Sequence, residues 1–327
     1  MNDAVYFSRD DVLSLSAEID VESALQHVLI EAELGEAGQA TRTELAPEGL
    51  ASVLGLMPGY RTAAPAVFAA KVVCVVPGNP VRGLPAHHGV VLLFDASTGA
   101  LLVMADAGAV TEVRTAALTA LATRTLATRT EGISLVVGGG HQAVAHLRAL
   151  ARLQHRLVVW ARRPEQARGA IEMLAVEGVD VAFAPKLESA VREAAVVTTV
   201  TGTAEPILDA AWFGPGALLN AIGSSTPRVR EVPEEMIRTS FLVADSPEAV
   251  RALSGEFSRL DRPGPALHSL GSLLHRPDSI PETRSNGCTV FKSVGVPLQD
   301  LALASELYRA ATDSSNRSSS IGQRIRL

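Results

Sequence analysis

A glycine-rich loop is the segment of this sequence with the clearest chemical meaning. It follows an apolar run at 133–137, precedes a helix predicted over 142–153, and consists of Gly138, Gly139, Gly140, His141, Gln142 and Ala143. Small residues at the first, third and sixth positions allow a tight turn, close approach of the backbone to a pyrophosphate, and close packing of helix on strand. The helix N-terminus then offers free N–H groups to phosphates. This context predicts a dinucleotide site; the alternative is a plain glycine-rich turn.

The end of the next predicted strand bears on which dinucleotide would bind. Sites for NAD usually carry Asp or Glu about 20 residues after the glycines, where the carboxylate binds the ribose 2′-hydroxyl. After the strand predicted at 157–160, this chain has Arg162 and Arg163 instead. A guanidinium matches a 2′-phosphate in charge and can bind it through two hydrogen bonds. The sequence therefore favours NADP(H) over NAD(H), unless both arginines are solvated charges at a helix start.

The region from 133 onwards alternates between strand and helix patterns, as expected of an α/β fold. Helices are predicted over 142–153 and 164–176, the second with Pro164 in its first turn. Short apolar runs typical of buried parallel strands occur at 133–137, 157–160, 179–183, 196–201, 218–222 and 241–244.

The remaining segments predict an α+β region before this alternation and a helix after it. Strand patterns occur at 66–76 and in a hairpin formed by 90–94 and 100–104. An Ala- and Leu-rich helix with Thr111 as its N-cap is predicted over 111–127. A further helix is predicted over 299–311, and the polar residues that follow predict a disordered tail over 313–327.

Composition excludes several classes of protein. The 327 residues are 47% hydrophobic and 20% charged, which is ordinary for a globular protein, and the net charge of −6 argues against nucleic acid or anionic lipid as a partner. The sequence has no apolar run of roughly 18 residues and no secretory signal. Its two cysteines, Cys74 and Cys288, predict no disulfide framework, so we expect a cytoplasmic protein. No spacing of His, Asp or Glu predicts a metal site.

Several motifs together make the chain resemble the ornithine cyclodeaminase/mu-crystallin family. The resemblance extends from about Gln39 to Ala311, in the order of the family. The segments that carry it are Lys71-Val72-Val73, Pro77-Gly78-Asn79, Thr111–Ala117, Gly138–Ala143 with His146, Asn220–Gly223, Arg230-Glu231 and Phe291–Gly295.

The resemblance implies a fold of two domains and a homodimer. A Rossmann-like nucleotide-binding domain would span 116–295. An α+β domain for substrate binding and dimerisation would combine 1–115 with 296–312, so that the C-terminal helix returns to the N-terminal region. Members of the family exchange a hydride between a nicotinamide and the α-carbon of an amino or imino acid. The resemblance also adds cofactor-binding candidates to those of the glycine loop and the arginine pair, namely Thr201, Ile222, Ser224 and Val294.

Three cations match positions at which the family binds a substrate carboxylate or flanks the nicotinamide: Arg42, Lys71 and Arg114. An arginine can hold a carboxylate through two parallel hydrogen bonds. Lys71 lies in an apolar strand, where it either points outward or occupies a pocket that lowers its pKa and suits it to proton transfer. The alternative for each cation is a surface charge. His87 and His88 follow a turn and are weaker candidates, since paired loop histidines are more often solvated.

Ser225 marks a departure from part of the family. Cyclodeaminases carry an aspartate at this position that handles protons, whereas ketimine reductases have a small residue. A serine hydroxyl is a poor base without a partner, so the sequence favours reduction of a cyclic ketimine such as pyrroline- or piperideine-2-carboxylate. We expect Lys71, Arg114 and Ser225 in the catalytic site. The alternatives are an ornithine cyclodeaminase, an alanine or opine dehydrogenase, and a non-catalytic NADPH-binding protein.

Overall fold

The computed structural model describes residues 4–258, 260, 264–282, 287–313 and 321–326. The chain forms two compact units. The first combines Met1–Thr115 with Val296–Leu327, and the second is the continuous segment Ala116–Gly295. Within the described residues, no helix is both long and apolar enough to cross a membrane.

The strands divide between two sheets, one in each unit. In chain order they are β1 (Ala4–Phe7), β2 (Ala37–Gln39), β3 (Thr43–Leu45), β4 (Val53–Arg61), β5 (Val67–Val75), β6 (His87–Asp95), β7 (Leu101–Asp106), β8 (Ile133–Val137), β9 (Arg156–Trp160), β10 (Val181–Phe183), β11 (Ala194–Thr199), β12 (Leu218–Ala221), β13 (Phe241–Ala244), β14 (His268–Ser269), β15 (Thr289–Lys292) and β16 (Gln323–Ile325).

The helices lie mainly between the strands of the second unit and at the two ends of the first. In chain order they are α1 (Arg9–Ser16), α2 (Val21–Glu33), α3 (Ala107–Leu126), α4 (His141–Leu150), α5 (Pro164–Val176), α6 (Leu187–Glu193), α7 (Glu234–Thr239), α8 (Pro247–Leu253), α9 (Leu270–His275) and α10 (Pro297–Thr312).

The first unit is built on a mixed sheet that is covered by helices on one face. The strand order is β16-β1-β7-β6-β5-β4-β2, with β3 also paired to β4. Helix α10 packs against β4, β5 and β6 and against α2. Because side chains alternate along a strand, Val67 and Ala69 of β5 are buried on the covered face while Phe68 is exposed on the other. Lys71 has the parity of Val67, which places it on the covered face.

The second unit is a doubly wound parallel sheet, as expected from the run of short apolar segments. The order is β10-β9-β8-β11-β12-β15-β13-β14, and every pairing is parallel. Alternate residues of β8 pack into different hydrophobic cores, one on each face of the sheet. Val136 packs with α4 and α5, whereas Leu135 and Val137 pack with α6, α7 and α8. Such sheets bind ligands at the carboxyl edge of their strands. This architecture confirms the α/β fold class.

Two local predictions from the sequence are corrected by the structure. Helix α3 begins at Ala107, not after Thr111, because the Asp106 carboxylate accepts a hydrogen bond from Ala109 N at 2.7 Å and starts the helix earlier. The tail predicted to be disordered over 313–327 is wrong at its far end, where β16 pairs antiparallel with β1. An otherwise unpaired edge strand gains backbone hydrogen bonds from this pairing. Residues 314–320 and 327 of the predicted tail lie outside the described residues.

Candidate active site

The glycine loop lies between β8 and α4 of the second unit, as the sequence predicts. Gly138 has φ +144°, and an added Cβ would lie 2.8 Å from Val200 Cγ2 and 3.0 Å from Val200 O. Its N–H donates to Trp160 O at 2.8 Å, which joins the turn to β9. Both the backbone conformation and the available space therefore require glycine at this position.

The third glycine of the loop differs from the first because it faces open space. Gly140 is the N-cap of α4, with an extended backbone and no side-chain cap. A Cβ built on Gly140 has no atom within 4 Å. Nearby, Gln142 has a buried Oε1 that accepts no hydrogen bond within the described part of the chain. The uncapped helix N-terminus and the free space over its first residue fit the phosphates of a dinucleotide.

The arginine pair lies directly after β9, where the sequence predicts the adenine-ribose site. Arg162 and Arg163 are both exposed, and Arg163 is the N-cap of α5. No acidic residue occupies either position. The carboxyl end of β9 therefore presents positive charge at the place where a dinucleotide's 2′ substituent would be bound in a fold of this type.

Buried glutamate Glu231 organises the carboxyl ends of β11 and β12. Its carboxylate accepts hydrogen bonds from Thr201 N at 2.9 Å, Thr201 Oγ1 at 2.5 Å, Thr199 Oγ1 at 3.0 Å and Gly223 N at 2.5 Å. Two loops that end adjacent strands are thus fixed to one side chain. The candidate Thr201 lies in this network, which defines the edge of the sheet beside the glycine loop.

A second buried network holds the loop after β12. Lys292 is fully buried, and its Nζ donates to Ser224 O at 2.5 Å, Ser224 Oγ at 2.8 Å and Ala221 O at 3.1 Å. Ser224 Oγ in turn donates to Glu256 Oε1 at 2.6 Å. Burial raises the pKa of Glu256, but the Lys292 charge and hydrogen bonds from Glu231 N, Ser224 and Ser254 outweigh it, so this pKa lies below its usual range.

The remaining candidates of the second unit lie on the same loops. Ile222 and Ser225 flank Gly223 and Ser224 and are half-buried. Val294 is buried just after β15. The hydroxyl of Ser224 is engaged by Lys292 and Glu256, so its contribution to a cofactor site is to fix the loop that carries Ser225.

In the first unit, the predicted cations Lys71 and Arg114 lie together in a buried cluster. Lys71 Nζ is 2.9 Å from Asp300 Oδ2 and donates to Thr111 Oγ1 at 3.4 Å. Arg114 Nε donates to Asp300 Oδ1 at 3.2 Å, and Arg114 Nη1 donates to Gln299 Oε1 at 2.5 Å. All four side chains of Lys71, Arg114, Gln299 and Asp300 are buried. Two cations share one carboxylate, so the cluster carries excess positive charge.

Burial and charge set the proton affinity of the lysine. Desolvation and the positive charges of Arg114 and Arg42 act against Asp300, and together they lower the pKa of Lys71 to about 8. The ammonium can therefore give up its proton near neutral pH, which an ordinary surface lysine does not.

Arg42 and His87 lie near the buried pair. Arg42 is half-buried, with Nη1 3.6 Å from Glu44 Oε1, and its charge acts on both Lys71 and His87. Partial burial, followed by the charges of Lys71 and Arg42, lowers the pKa of His87. His88 lies beside it, paired with Cys74 across β5 and β6. Among the described residues, no group of three His, Cys, Asp or Glu side chains could hold a metal ion.

Comparison with known proteins decides the family. The model of the ornithine cyclodeaminase/mu-crystallin family matches residues 5–315. The chain belongs to this family. The resemblance carried by the motifs is therefore confirmed, and it extends closer to both ends of the chain than those motifs do.

Relatives and solved structures of family members fit this assignment. Ketimine reductase mu-crystallin of Mus musculus is 35% identical over 259 residues, covering 78% of this chain and 79% of the relative. Delta(1)-pyrroline-2-carboxylate reductase of Paracoccus denitrificans is 34% identical over 249 residues, covering 74% and 79%. The structure of the Thermococcus litoralis Delta(1)-pyrroline-2-carboxylate reductase, in complex with NADH and L-proline, has a TM-score of 0.88 and 26% identity, covering 98% of this chain and 100% of that one.

The sequence did not identify four of the polar residues that organise these clusters. Asp300 and Gln299 lie in α10, and Lys292 and Glu256 lie in the second unit. The sequence does contain one indication of the first pair. Gln299 and Asp300 interrupt an otherwise apolar helix start, and a charge buried there requires a partner. The periodicity of the helix does not show which residue is the partner of Asp300.

Proposed function

We propose that this chain is an NAD(P)H-dependent reductase of a cyclic ketimine carboxylate of the pyrroline- or piperideine-2-carboxylate type, which it converts to the cyclic amino acid. The buried cluster of Lys71, Arg114 and Asp300 is the observation that carries the proposal. Its excess positive charge suits a substrate carboxylate, and its lysine can release a proton near neutral pH. The names of the mu-crystallin and pyrroline-2-carboxylate reductase relatives support the same reaction.

The residues of the first unit would bind and protonate the substrate. Arg114 and Arg42 would hold the carboxylate, since a guanidinium can donate two parallel hydrogen bonds to it. Lys71 would contribute to the same anchor and donate a proton to the imine nitrogen as the carbon is reduced. The reduced nicotinamide supplies the hydride.

The residues of the second unit would bind the cofactor. The loop from Gly138 to Ala143 would receive the pyrophosphate at the N-terminus of α4, and Thr201, Ile222, Ser224 and Val294 would line the carboxyl edge beside it. Arg162 and Arg163 support NADP(H) as the preferred cofactor over NAD(H), because their charge suits a 2′-phosphate and no carboxylate is present to bind a 2′-hydroxyl.

Ser225 supports reduction over ornithine cyclodeamination. Ammonia loss requires a residue that accepts and returns protons, and a serine hydroxyl without a basic partner does this poorly. A small-molecule substrate, a homodimer and a cytoplasmic location complete the proposal. The location rests on the two cysteines, Cys74 and Cys288, which give the sequence no disulfide framework.

The test is NADPH oxidation by the purified protein with pyrroline-2-carboxylate and with piperideine-2-carboxylate, beside formation of proline and ammonia from L-ornithine in the presence of NAD⁺. We expect turnover with an imine. Lys71→Met and Arg114→Met should each lower kcat/KM by roughly 10–100-fold, because each removes a charged hydrogen bond to the substrate. Arg124→Ala is the matched control, since this arginine is exposed in the last turn of α3.

Other outcomes would select the alternatives. Proline and ammonia from ornithine, without imine reduction, would show that Ser225 does not prevent cyclodeamination. Oxidation of NADH or NADPH with pyruvate and an amine would indicate an alanine or opine dehydrogenase. A shift in NADPH fluorescence without any consumption would indicate a binding protein.

A further inference from the structure

Lysine is rare in this chain, and its placement is unusual. Of the 29 Lys and Arg residues only three are lysines: Lys71, Lys186 and Lys292. Lys71 is 5% exposed and Lys292 is fully buried. Lysines are almost never buried without a partner, and arginine is always protonated. Two of the three lysines are therefore enclosed, and each needs neighbouring groups that stabilise its charge.

The partner of Lys71 is Asp300, and Asp300 is shared. Oδ2 faces Lys71 Nζ at 2.9 Å, while Oδ1 accepts from Arg114 Nε at 3.2 Å. The adjacent Gln299 accepts from Arg114 Nη1 at 2.5 Å. Two consecutive residues of α10 therefore fix the positions of two cations that come from β5 and α3. The Asp300 side chain is 1% exposed, so solvent screens its charge only weakly.

We propose that Asp300 is a positioning residue for the reduction: its carboxylate bridges Lys71 and Arg114, holds them side by side for the substrate carboxylate, and keeps Lys71 protonated so that it can act as the acid. This inference rests on the proposed function. In the step, the imine carbon receives hydride from the reduced nicotinamide, and the C=N π electrons become the lone pair that takes the Lys71 proton. Lys71 is left as a neutral amine and regains its proton from solvent.

Asp300 opposes the neighbouring positive charges that disfavour the protonated form of Lys71. Arg114 on α3 and Arg42 after β2 are cations that disfavour a protonated lysine, and His87 at the start of β6 adds a third positive charge when it is protonated. Asp300 is the opposing charge. Without it, desolvation and these cations would leave Lys71 neutral near neutral pH, with no proton to donate.

Only three lysines make the inference directly measurable by NMR. Protein labelled with ¹³C at lysine Cε gives three resonances, and the one missing in Lys71→Met is that of Lys71. In the protein without cofactor or substrate we expect this resonance to titrate with a midpoint near the pKa of about 8. In Asp300→Asn the midpoint should move to lower pH by about 1–3 pH units, the effect of losing an opposite charge at this distance. Glu306→Gln, a variant of an ion pair on the surface of the same helix, should leave it unchanged.

An equal midpoint in Asp300→Asn and the wild type would overturn the proposal. If Asp300→Asn does not fold, Arg114→Met provides the complementary test. Removing a like charge and leaving Asp300 to Lys71 alone should raise the midpoint, and a midpoint that stays or falls would contradict the shared carboxylate.

Kinetics supply the second readout. The active acid is protonated Lys71, so kcat for imine reduction should be level below pH 8 or so and fall above it. In Asp300→Asn this alkaline fall should move to lower pH together with the NMR midpoint. A fall that stays in place while the midpoint moves would overturn the proposal, because Lys71 would then not be the acid. If the wild type reduces no imine, the proposed function fails, while the NMR titration still decides the role of Asp300.

Discussion

The two buried lysines differ in how completely their ammonium groups are satisfied. Lys292 donates to oxygens of Ala221, Ser224 and Ser293, so its hydrogens are fully used and its role is to fix a loop. Lys71 faces Asp300 closely, but its hydrogen bond to Thr111 is long, at 3.4 Å. A buried ammonium with weakly used hydrogens remains able to donate to a ligand. The acceptors around each lysine therefore separate a structural role from a chemical one.

The arginine pair after β9 leads to a prediction about cofactor choice. Replacing Arg162 and Arg163 together by serine should raise KM for NADPH by roughly 10–100-fold, the loss expected for charged hydrogen bonds to a phosphate. KM for NADH should change little, because NADH has no 2′-phosphate. Steady-state kinetics with each cofactor at a saturating imine concentration measures the ratio of KM for NADPH to KM for NADH.

The matched control for this prediction is Arg156→Ala, since Arg156 is exposed at the opposite end of the same strand. It should leave both KM values unchanged. An equal rise for NADPH and NADH in the double variant would mean that the arginines do not contact the 2′ substituent, and the preference for NADP(H) would be withdrawn.

The sequence predicted individual cations of the site but not the carboxylates that pair with them. Lys71 and Arg114 could be selected because they match positions of the family that the motifs indicate, and Lys71 also lies in an otherwise apolar strand. Asp300 could not, because 186 residues separate it from Arg114 and no short-range pattern links them. The same holds for Glu256, which reaches Ser224 from 32 residues away. Local spacing predicts which residue types are unusual, whereas the tertiary fold decides which of them meet.

At the scale of elements, the turn from β8 to α4 shows that its glycines have different functions. The turn requires glycine at position 138, because the backbone has φ +144° there and an added Cβ would be too close to Val200. Gly140 has φ −94° and open space, so folding alone would permit a side chain there. Because the fold does not need glycine at position 140, the open space there suits a ligand that comes close to the backbone.

This contrast predicts opposite outcomes for two alanine variants. Gly140→Ala should keep the melting temperature of the wild type but raise Kd for NADPH by roughly 10-fold or more, because the methyl group would displace the pyrophosphate from charge-assisted contact with backbone N–H groups. Gly138→Ala should lower the free energy of unfolding by about 1–3 kcal/mol, because its backbone conformation is strained for alanine. Thermal unfolding and fluorescence titration with NADPH measure the two effects.

Gly169→Ala serves as control for both variants. Gly169 lies inside α5, where an added Cβ would have no atom within 4 Å. Alanine there should slightly stabilise the helix without changing Kd. Loss of stability in Gly140→Ala with unchanged NADPH affinity would contradict a phosphate site at this turn.

Elements with regular periodicity were predictable, and those set by context were not. The strand, glycine loop and helix at 133–153 follow directly from the sequence. Strand β4 was missed because Gly55, Pro58 and Gly59 interrupt its pattern, although pairing with β5 along its whole length stabilises it. Strand β16 was missed because a short polar segment becomes a strand only when an edge such as β1 is available.

At the scale of the whole molecule, the sheet of the first unit has one covered face and one exposed apolar face. Helices α2 and α10 cover the first face. On the other, the large apolar side chains that remain exposed are Leu45, Leu54, Leu56, Tyr60 and Phe68. They lie along one face, because Leu54, Leu56 and Tyr60 have the same parity in β4, Leu45 pairs with Leu54, and Tyr60 pairs with Phe68 across adjacent strands. Single exposed apolar residues are common, but a contiguous patch on a sheet indicates an interface.

This face predicts that the proposed homodimer forms through the sheet of the first unit. The double variant Leu56→Lys and Phe68→Lys should sediment with the mass of a single chain, whereas the wild type should sediment with twice that mass. Two lysines placed in an apolar interface would each lose hydration without a partner, at a cost of several kcal/mol. Analytical ultracentrifugation measures the mass, and circular dichroism verifies that the variant remains folded.

Val176→Lys is the control, since Val176 is 90% exposed at the end of α5 and belongs to the second unit, not to this sheet. It should remain a dimer. A folded double variant that keeps the dimer mass would exclude this face as the interface, and a monomeric wild type would exclude the dimer. The exposed face itself could be predicted from alternation in β5, but its continuity required the register of β3, β4 and β5, which only pairing across the sheet establishes.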